Sequence, residues 1–302
     1  MDNQSSDQIS VGFAGLGRMG VPMAEHLVTT GFDVTVYNRT AAKASEFATS
    51  HSCRSVLTPR QLAAVSSIVI TMVADGPALI AMLEGDDGLL AGLRPGSIVI
   101  DMGTTGMQHT QLARARLAER DVALVEAPVS GSVAAATGKT LLVMAAGDDE
   151  AVDRAIPVLD ALAGRTIRVG PPGAGAAMKL AVNAVLFGLN QALAESLVLA
   201  ERSGIERSTA YEVFASSAIA APVVHYRRAV FENPESAPVT FSVGLASKDL
   251  GLILALASEV GSNMPQAEAN LAVMQQAGQA GLGDHDMGEV ATFIRQGRRH
   301  PD

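Results

Sequence analysis

The sequence predicts an α/β domain with a parallel sheet, then one long helix, then an all-α domain. Short apolar segments alternate with helical or loop segments over residues 9–169, which is typical of a parallel sheet covered on both faces. Residues 173–203 are rich in Ala and Leu and contain no proline, so they predict a single helix that ends at Gly204. Beyond Gly204 the pattern is helical to the end. We therefore expect a first domain at 1–172, an interdomain helix at 173–203 and a helical domain at 204–302.

Composition narrows the class of protein. The 302 residues are 48% hydrophobic and 18% charged, which is typical of a globular protein with a sizeable core. A formal net charge of -9 argues against nucleic acid as the main partner. The single cysteine, Cys53, excludes an internal disulfide framework, and no Cys/His spacing predicts a metal site. We find no secretion signal and no suitably flanked membrane span, and we expect a cytoplasmic protein without a membrane partner.

The first 37 residues contain a strand, a glycine loop, a helix and a second strand. An apolar strand is predicted at 9–14, a helix up to Thr30 and a strand at 33–37. Between the first strand and the helix, the G-x-G-x-x-G pattern supplies glycines for a tight turn, for close approach to a pyrophosphate and for helix packing. This context predicts a Rossmann-type dinucleotide-binding domain. Its cofactor loop consists of Gly15, Leu16, Gly17, Arg18, Met19 and Gly20.

The end of the second strand predicts which dinucleotide binds. Enzymes that prefer NAD usually carry Asp or Glu here to hold the ribose hydroxyls, whereas this chain has Asn38, Arg39 and Thr40. Asn38 does not repel a 2'-phosphate, Arg39 can bind it through a forked contact, and Thr40 can add a hydroxyl. We therefore expect NADP (NADPH), with NAD as the weaker alternative. The other interpretation is that Arg39 is an ordinary surface residue.

Further apolar strands are predicted at 68–73, 98–101, 122–125, 139–146 and 166–169, with a helix near 149–162. Loops that follow the carboxyl ends of parallel strands line the ligand crevice of such a sheet. Val73, Ala74 and Thr104 are therefore expected to contact the cofactor. Alternatively, these residues belong to plain strand-exit loops.

The segment E-A-P-V-S-G-S at 126–132 follows the strand at 122–125. Ser130, Gly131 and Ser132 offer hydroxyls and consecutive backbone amides, which suit an anion-binding nest for a substrate carboxylate. Taken alone, such a segment is also compatible with a simple turn.

Two lysines stand on apolar predicted helices. Lys179 lies in the apolar first half of the helix at 173–203, and Asn183 follows one turn later on the same face, where both can address one small molecule. Lys248 is the only cation of a second apolar helix at 243–260. The alternatives are that the Lys179 stem extends along the helix to bring its ammonium to water, and that Lys248 simply pairs with Asp249.

Four motifs in order resemble those of the β-hydroxyacid dehydrogenases. This family contains 3-hydroxyisobutyrate dehydrogenases, tartronate semialdehyde reductases, glyoxylate/succinic semialdehyde reductases and, more distantly, 6-phosphogluconate dehydrogenase. The motifs are G-L-G-R-M-G at 15–20, E-A-P-V-S-G-S at 126–132, G-A-G-A-A-M-K-L-A-V-N at 173–183 and K-D-L at 248–250. The form of the second motif most resembles the glyoxylate/succinic semialdehyde reductases. The resemblance covers nearly the whole chain, although Gly103 stands where the family frequently has Ser.

The resemblance implies a role for each of these residues. Lys179 is the implied catalytic acid/base, and Asn183 binds or orients the substrate. The Ser130–Ser132 segment is implied to hold the substrate carboxylate, while Thr104 and Lys248 contact the cofactor. It also implies a homodimer or homotetramer that pairs through the helical domain. The expected reaction is hydride transfer between NADP(H) and a small β-hydroxy acid or its semialdehyde, without a metal.

Two other functions are compatible with the fold. Imine reductases share this architecture, but they resemble the family with the catalytic lysine replaced, typically by Asp or Tyr. A non-catalytic NADP(H)-binding module is expected to have lost the lysine as well. The presence of Lys179 together with Asn183 favours the dehydrogenase over both.

Overall fold

The computed structural model describes residues 9 to 297. By its internal contacts the chain divides between Lys179 and Leu180 into two compact units. The first unit contains the strands, and the second is helical.

The strands of the described residues form one nine-stranded sheet with the order β3-β2-β1-β4-β5-β6-β8-β7, and β9 pairs with β8. They are β1 (Ser10–Ala14), β2 (Asp33–Tyr37), β3 (Arg54–Ser55), β4 (Ile68–Thr71), β5 (Ile98–Asp101), β6 (Ala123–Glu126), β7 (Val129–Ser130), β8 (Leu142–Ala146) and β9 (Arg165–Gly170). The pairings from β3 through β6 are parallel, as expected. The pairings of β8 with β6 and β7 are antiparallel, and its pairing with β9 is parallel.

Burial on both faces explains why the central strands are continuously apolar. Every residue of β4 and β5 is buried. Successive side chains point to opposite faces, so that Ile68 and Ile70 join one hydrophobic cluster while Val69 joins another. The predicted strand at 68–73 ends earlier, at Thr71. The sequence did not predict β3 and β7, because two residues are too few for a recognisable pattern.

Helices cover the sheet within the first unit. They are α1 (Gly20–Thr30), α2 (Ala41–His51), α3 (Pro59–Ala64), α4 (Gly76–Leu83), α5 (Met107–Ala118), α6 (Val133–Thr137) and α7 (Asp149–Leu162). Gly31 ends α1 with φ 94°, a left-handed conformation that glycine adopts at little cost.

The long helix α8 (Ala174–Arg202) has 29 residues. It begins in the first unit and continues into the second. Its predicted span of 173–203 differs by one residue at each end. Gly204 follows it with φ 90°, in keeping with its predicted role as a helix stop.

The second unit continues as a set of helices around its own core. They are α9 (Arg207–Ser216), α10 (Pro222–Tyr226), α11 (Arg228–Glu232), α12 (Val243–Val260), α13 (Pro265–Ala277) and α14 (Val290–Gln296). Phe187, Tyr211 and Phe231 are buried in this core. Among the described residues beyond Gly204, the only β-type pairing is an isolated bridge between Ser242 and Asp286.

One described helix, α8, is long and apolar enough to cross a membrane by length and composition alone. Its Asn183, Asn190 and Gln191 side chains are buried, and the Asn190 amide donates a hydrogen bond to the carbonyl of Met287. Buried polar side chains with protein partners are typical of a core helix.

Candidate active site

The glycine loop closes tightly between β1 and α1. Gly15 has φ 110°, and a Cβ atom there would lie 2.3 Å from the carbonyl oxygen of Met72. A Cβ atom on Gly20 would lie 1.9 Å from the carbonyl oxygen of Gly15, so no side chain fits at either position. Gly17 is exposed, and a Cβ there would meet no protein atom within 4 Å. This geometry fits a dinucleotide pyrophosphate, because the Gly17 backbone is approachable and the N-terminus of a helix such as α1 favours phosphate binding.

Asn38 connects the glycine loop to the end of β2. Its Oδ1 accepts a hydrogen bond of 3.0 Å from the Leu16 amide, and its Nδ2 donates one of 3.1 Å to the Thr40 carbonyl. Leu16 is buried, whereas Arg39 and Thr40 are exposed. Asn38 therefore holds the loop in place, a role that its position in the sequence did not reveal. Of the other loop residues, Arg18 is exposed and Met19 is half-buried.

The predicted cofactor-contacting loops follow neighbouring strands. Val73 and Ala74 follow β4 and lead into α4, whose N-terminus is capped by Asp75 through a 2.8 Å bond from the Ala78 amide. Thr104 follows β5 and is half-buried. Because β4 and β5 pair in parallel, these two loops leave the same edge of the sheet.

Asp101 fastens the loop that carries Thr104. This carboxylate is buried at the end of β5, where it accepts hydrogen bonds from the hydroxyls of Thr71 (2.9 Å) and Thr105 (2.8 Å). Burial raises the pKa of Asp101, while the bonds from Thr105, Thr71 and the Gly103 amide act in the opposite direction. The bond from Thr105 restrains the residue next to Thr104.

The Ser130–Ser132 segment forms a turn from β7 into α6. Gly131 is exposed and has φ 143°, a backbone conformation that L side chains rarely adopt. The hydroxyl of Ser132 caps α6 by accepting a 3.3 Å bond from the Ala135 amide. Ser132 therefore has a structural partner in addition to its predicted role with a carboxylate.

Lys179 lies against the same turn. It is half-buried on α8, and its Nζ donates a 2.8 Å hydrogen bond to the carbonyl of Val129, the residue before Ser130. The first turn of α8 is held by Glu126, which accepts hydrogen bonds from the amides of Gly173 and Ala176. The Lys179 ammonium is thus directed at the segment predicted to hold the substrate carboxylate.

In the second unit, Asp249 connects the other two predicted site residues. Its Oδ2 accepts a 2.8 Å hydrogen bond from Asn183, and its Oδ1 lies 2.9 Å from the ammonium of Lys248. Asp249 is only 1% exposed. The pairing of Lys248 with Asp249, the alternative raised by the sequence, is therefore present. Asp249 was not among the predicted site residues, although its place beside Lys248 was a signal for it.

The structure thus arranges the predicted residues in two groups. The glycine loop, the β2 end, the loops after β4 and β5, the Ser130–Ser132 turn and Lys179 belong to the first unit. Asn183 and Lys248 belong to the second. Lys179 and Asn183 remain one turn apart along α8, as the i, i+4 spacing predicts.

A nucleotide-binding α/β unit with this glycine loop, followed by a helical unit, defines an NAD(P)-binding oxidoreductase. Residues 10–170 match the family model for the NAD-binding domain of 6-phosphogluconate dehydrogenase. Residues 173–294 match the family model described as NAD-binding of NADP-dependent 3-hydroxyisobutyrate dehydrogenase. The chain therefore belongs to the β-hydroxyacid dehydrogenase family.

Individual relatives span nearly the whole chain. Glyoxylate/succinic semialdehyde reductase 1 of Arabidopsis thaliana is 32% identical over 290 residues, which cover 96% of this chain and 100% of that protein. NAD-dependent L-serine dehydrogenase of Pseudomonas aeruginosa is 31% identical over 93% of this chain and 96% of its own length. The structure of Mycobacterium tuberculosis 3-hydroxyisobutyrate dehydrogenase with L-serine superposes with a TM-score of 0.82 at 30% identity, covering 95% of this chain and 99% of that one.

Proposed function

We propose that this protein is an NADP(H)-dependent oxidoreductase that interconverts a small β-hydroxy acid and its aldehyde or semialdehyde, with Lys179 as the acid/base. The observation that carries the proposal is the bond from the Lys179 ammonium to the Val129 carbonyl. It directs a cation at the Ser130–Ser132 turn, where an anionic substrate is proposed to bind. The reductase activities named among the relatives, such as the glyoxylate/succinic semialdehyde reductase, support this substrate class.

The cofactor is proposed to lie against the glycine loop Gly15–Gly20, with Val73, Ala74, Thr104 and Lys248 as further contacts. Asn38, Arg39 and Thr40 are proposed to face its 2'-phosphate. Arg39 is exposed at the end of β2 and no carboxylate stands beside it in the sequence, which supports NADP over NAD. When bound, the reduced cofactor supplies the hydride for the carbonyl carbon.

The residues of this chain supply the remaining chemistry. Reduction of a carbonyl develops negative charge on its oxygen, which needs a proton and electrostatic stabilisation. The Lys179 ammonium provides both, and the neutral amine takes the proton back in the oxidation direction. Asn183, held by Asp249, is proposed to orient the substrate. Ser130, Gly131 and Ser132 are proposed to bind its carboxylate through amides and hydroxyls.

We propose a homodimer or homotetramer, as the resemblance implies, which light scattering after size-exclusion chromatography tests. From the sequence we also propose a cytoplasmic location, which cell fractionation tests. The expected physiological direction is reduction, since NADPH is generally kept reduced in cells.

The experiment measures oxidation of NADPH and NADH with glyoxylate, succinic semialdehyde, methylmalonate semialdehyde and tartronate semialdehyde. We expect turnover of at least one aldehyde with NADPH, and a loss of about 10²- to 10⁴-fold in kcat for Lys179→Ala. Lys139→Asn is the matched control, because Lys139 is an exposed lysine of the same unit and asparagine tolerates its φ of 55°. Full turnover by Lys179→Ala would refute the assignment of the acid/base.

Two outcomes favour the alternatives. Reduction of cyclic imines in the absence of aldehyde turnover indicates an imine reductase. Tight NADPH binding without turnover of aldehydes or imines indicates a non-catalytic binding module.

A further inference from the structure

Glu126 is a buried carboxylate to which the proposed reaction assigns no role. It ends β6 and is only 3% exposed. Its Oε1 accepts a 2.6 Å hydrogen bond from the amide of Gly173, and its Oε2 accepts one of 2.9 Å from the amide of Ala176. The first amides of a helix have no partner within the helix, so Glu126 supplies two of the partners that the start of α8 needs.

Glycine permits this close approach. A Cβ atom on Gly175 would lie 2.8 Å from the Cβ of Glu126, so any larger residue would push the helix start away from the strand. Gly173 has φ 97°, a conformation that favours glycine. The start of α8 is therefore built to sit directly on the Glu126 carboxylate.

The same short segment holds α8 a second time, at Lys179. Three residues after Glu126, the Val129 carbonyl accepts the hydrogen bond from the Lys179 ammonium. Ala176 and Lys179 are three residues apart and therefore share a helix face. The segment from Glu126 to Val129 thus contacts α8 at its first turn and at the side chain proposed to do the chemistry.

We propose that Glu126 is a positioning residue for Lys179, fixing the first turn of α8 so that the ammonium stays at the Val129 carbonyl. This inference rests on the proposed function, in which Lys179 is the acid/base. Without the carboxylate, the first amides of α8 lose their partners and the turn before Lys179 frays. A displacement of about 1 Å at a catalytic group costs about 100-fold in rate.

The charges around Glu126 make its effect depend on pH. Burial raises the pKa of Glu126, the amides of Ala176 and Gly173 lower it, Asp101 on the neighbouring β5 raises it and Arg114 on α5 lowers it. The net pKa is above its ordinary value. As pH falls through it, the protonated oxygen becomes a poor acceptor for a helix amide, so kcat of the wild-type enzyme falls.

The test compares Glu126→Gln and Glu126→Asp with the wild type in the full-length protein. For Glu126→Gln we expect kcat to fall by about 10- to 100-fold, because one amide of α8 now faces an NH2 group. KM for NADPH stays within about twofold, since β1 and its glycine loop are separated from β6 by β4 and β5. Glu126→Asp recovers part of kcat, and the acid limb of the pH profile disappears in Glu126→Gln only.

A matched control removes a helix-capping carboxylate elsewhere. Glu206 caps α9 by accepting a 3.0 Å hydrogen bond from the Thr209 amide. Glu206→Gln is expected to leave kcat and its pH profile unchanged. If Glu126→Gln does not fold, Gly175→Ala tests the same contact with the carboxylate retained, and it is expected to lower kcat by a similar factor.

A second measurement needs no turnover. The chain has four lysines, at positions 43, 139, 179 and 248, so reductive ¹³C-methylation yields few NMR signals. Lys179→Arg assigns the Lys179 signal, which is expected to shift toward those of exposed lysines in Glu126→Gln. A purely structural role for Glu126 would leave this signal unmoved.

The outcomes separate the two proposals. If Lys179→Ala is inactive while Glu126→Gln keeps wild-type kcat and an unshifted Lys179 signal, the positioning role is wrong and the function stands. If no aldehyde is reduced but the Lys179 signal still shifts in Glu126→Gln, the positional contact stands and the proposed reaction is wrong.

Discussion

The Asp286→Asn substitution tests how the second unit holds the residues that precede α12. Asp286 and Arg227 form an ion pair whose side chains are 1% and 3% exposed. Asp286 also accepts hydrogen bonds from the Thr240 amide and hydroxyl and from the Phe241 and Gly288 amides. This carboxylate therefore anchors the chain immediately before the helix that carries Lys248.

The structure sets the size of the expected effect. Asparagine keeps one acceptor oxygen but turns an NH2 group toward donors, and it leaves the Arg227 charge buried without a counter-ion. Breaking a buried pair in this way costs about 3 to 5 kcal/mol in the free energy of unfolding. In proteins of moderate size each kcal/mol lowers Tm by about 2 to 4 °C, so we expect a drop of at least about 6 °C.

The direction in which the stabilisation by Asp286 changes with pH follows from its pKa. Burial raises the pKa of Asp286, but Arg227 and the amide and hydroxyl donors outweigh it, so the net pKa lies below its ordinary value. A carboxyl whose pKa is lowered by folding stabilises the native state above its unfolded pKa and loses that contribution as pH falls through the folded pKa. The difference between wild type and Asp286→Asn is therefore full at neutral pH and shrinks below about pH 3.8.

Urea and thermal unfolding, followed by circular dichroism at several pH values, provide the measurement. Asp33→Asn is the control, because the Asp33–Arg54 pair is 45% and 55% exposed and such surface pairs contribute no more than about 1 kcal/mol. A loss for Asp286→Asn no larger than that for Asp33→Asn would refute the reasoning.

Three further predictions concern the first unit. Arg39→Ala is expected to raise Kd for NADPH by about 10- to 100-fold with little change in Kd for NADH, since a charged hydrogen bond contributes about 1.5 to 3 kcal/mol. Fluorescence titration measures the two Kd values, and an equal loss of affinity for NADPH and NADH would contradict NADP preference. Gly17→Ala is expected to keep the wild-type Tm but to bind NADPH weakly, whereas Gly20→Ala lowers Tm, because a Cβ meets the Gly15 carbonyl oxygen only at the latter position. Asp101→Asn is expected to reduce the pH dependence of the free energy of unfolding above about pH 3.8. Because folding raises the pKa of Asp101, the free energy of unfolding of the wild type falls as pH rises from about 3.8 toward the raised pKa. The same pH dependence in wild type and Asp101→Asn would contradict this reasoning.

Local sequence patterns were enough to predict much of the fold. The helix at 243–260 has the predicted bounds, and the strand at 33–37 does as well. The helix is mostly apolar and ends before Gly261, and the strand contains two valines and a tyrosine and follows Gly31, so neighbouring residues suffice to define them. The short β3 and the antiparallel pairing of β8 with β6 were beyond such patterns, because strand pairing depends on partners distant in the sequence.

Residue types and their spacing were sufficient to identify the family, the glycine loop and the candidate residues Lys179, Asn183 and Lys248. The contacts that these side chains make could be learned only from the folded chain. The Val129 carbonyl next to Lys179 and the Asp249 carboxylate between Asn183 and Lys248 come from other segments or helices. Hydrogen bonds between residues 50 or 66 positions apart leave no periodic trace, so they become visible only once the chain has folded.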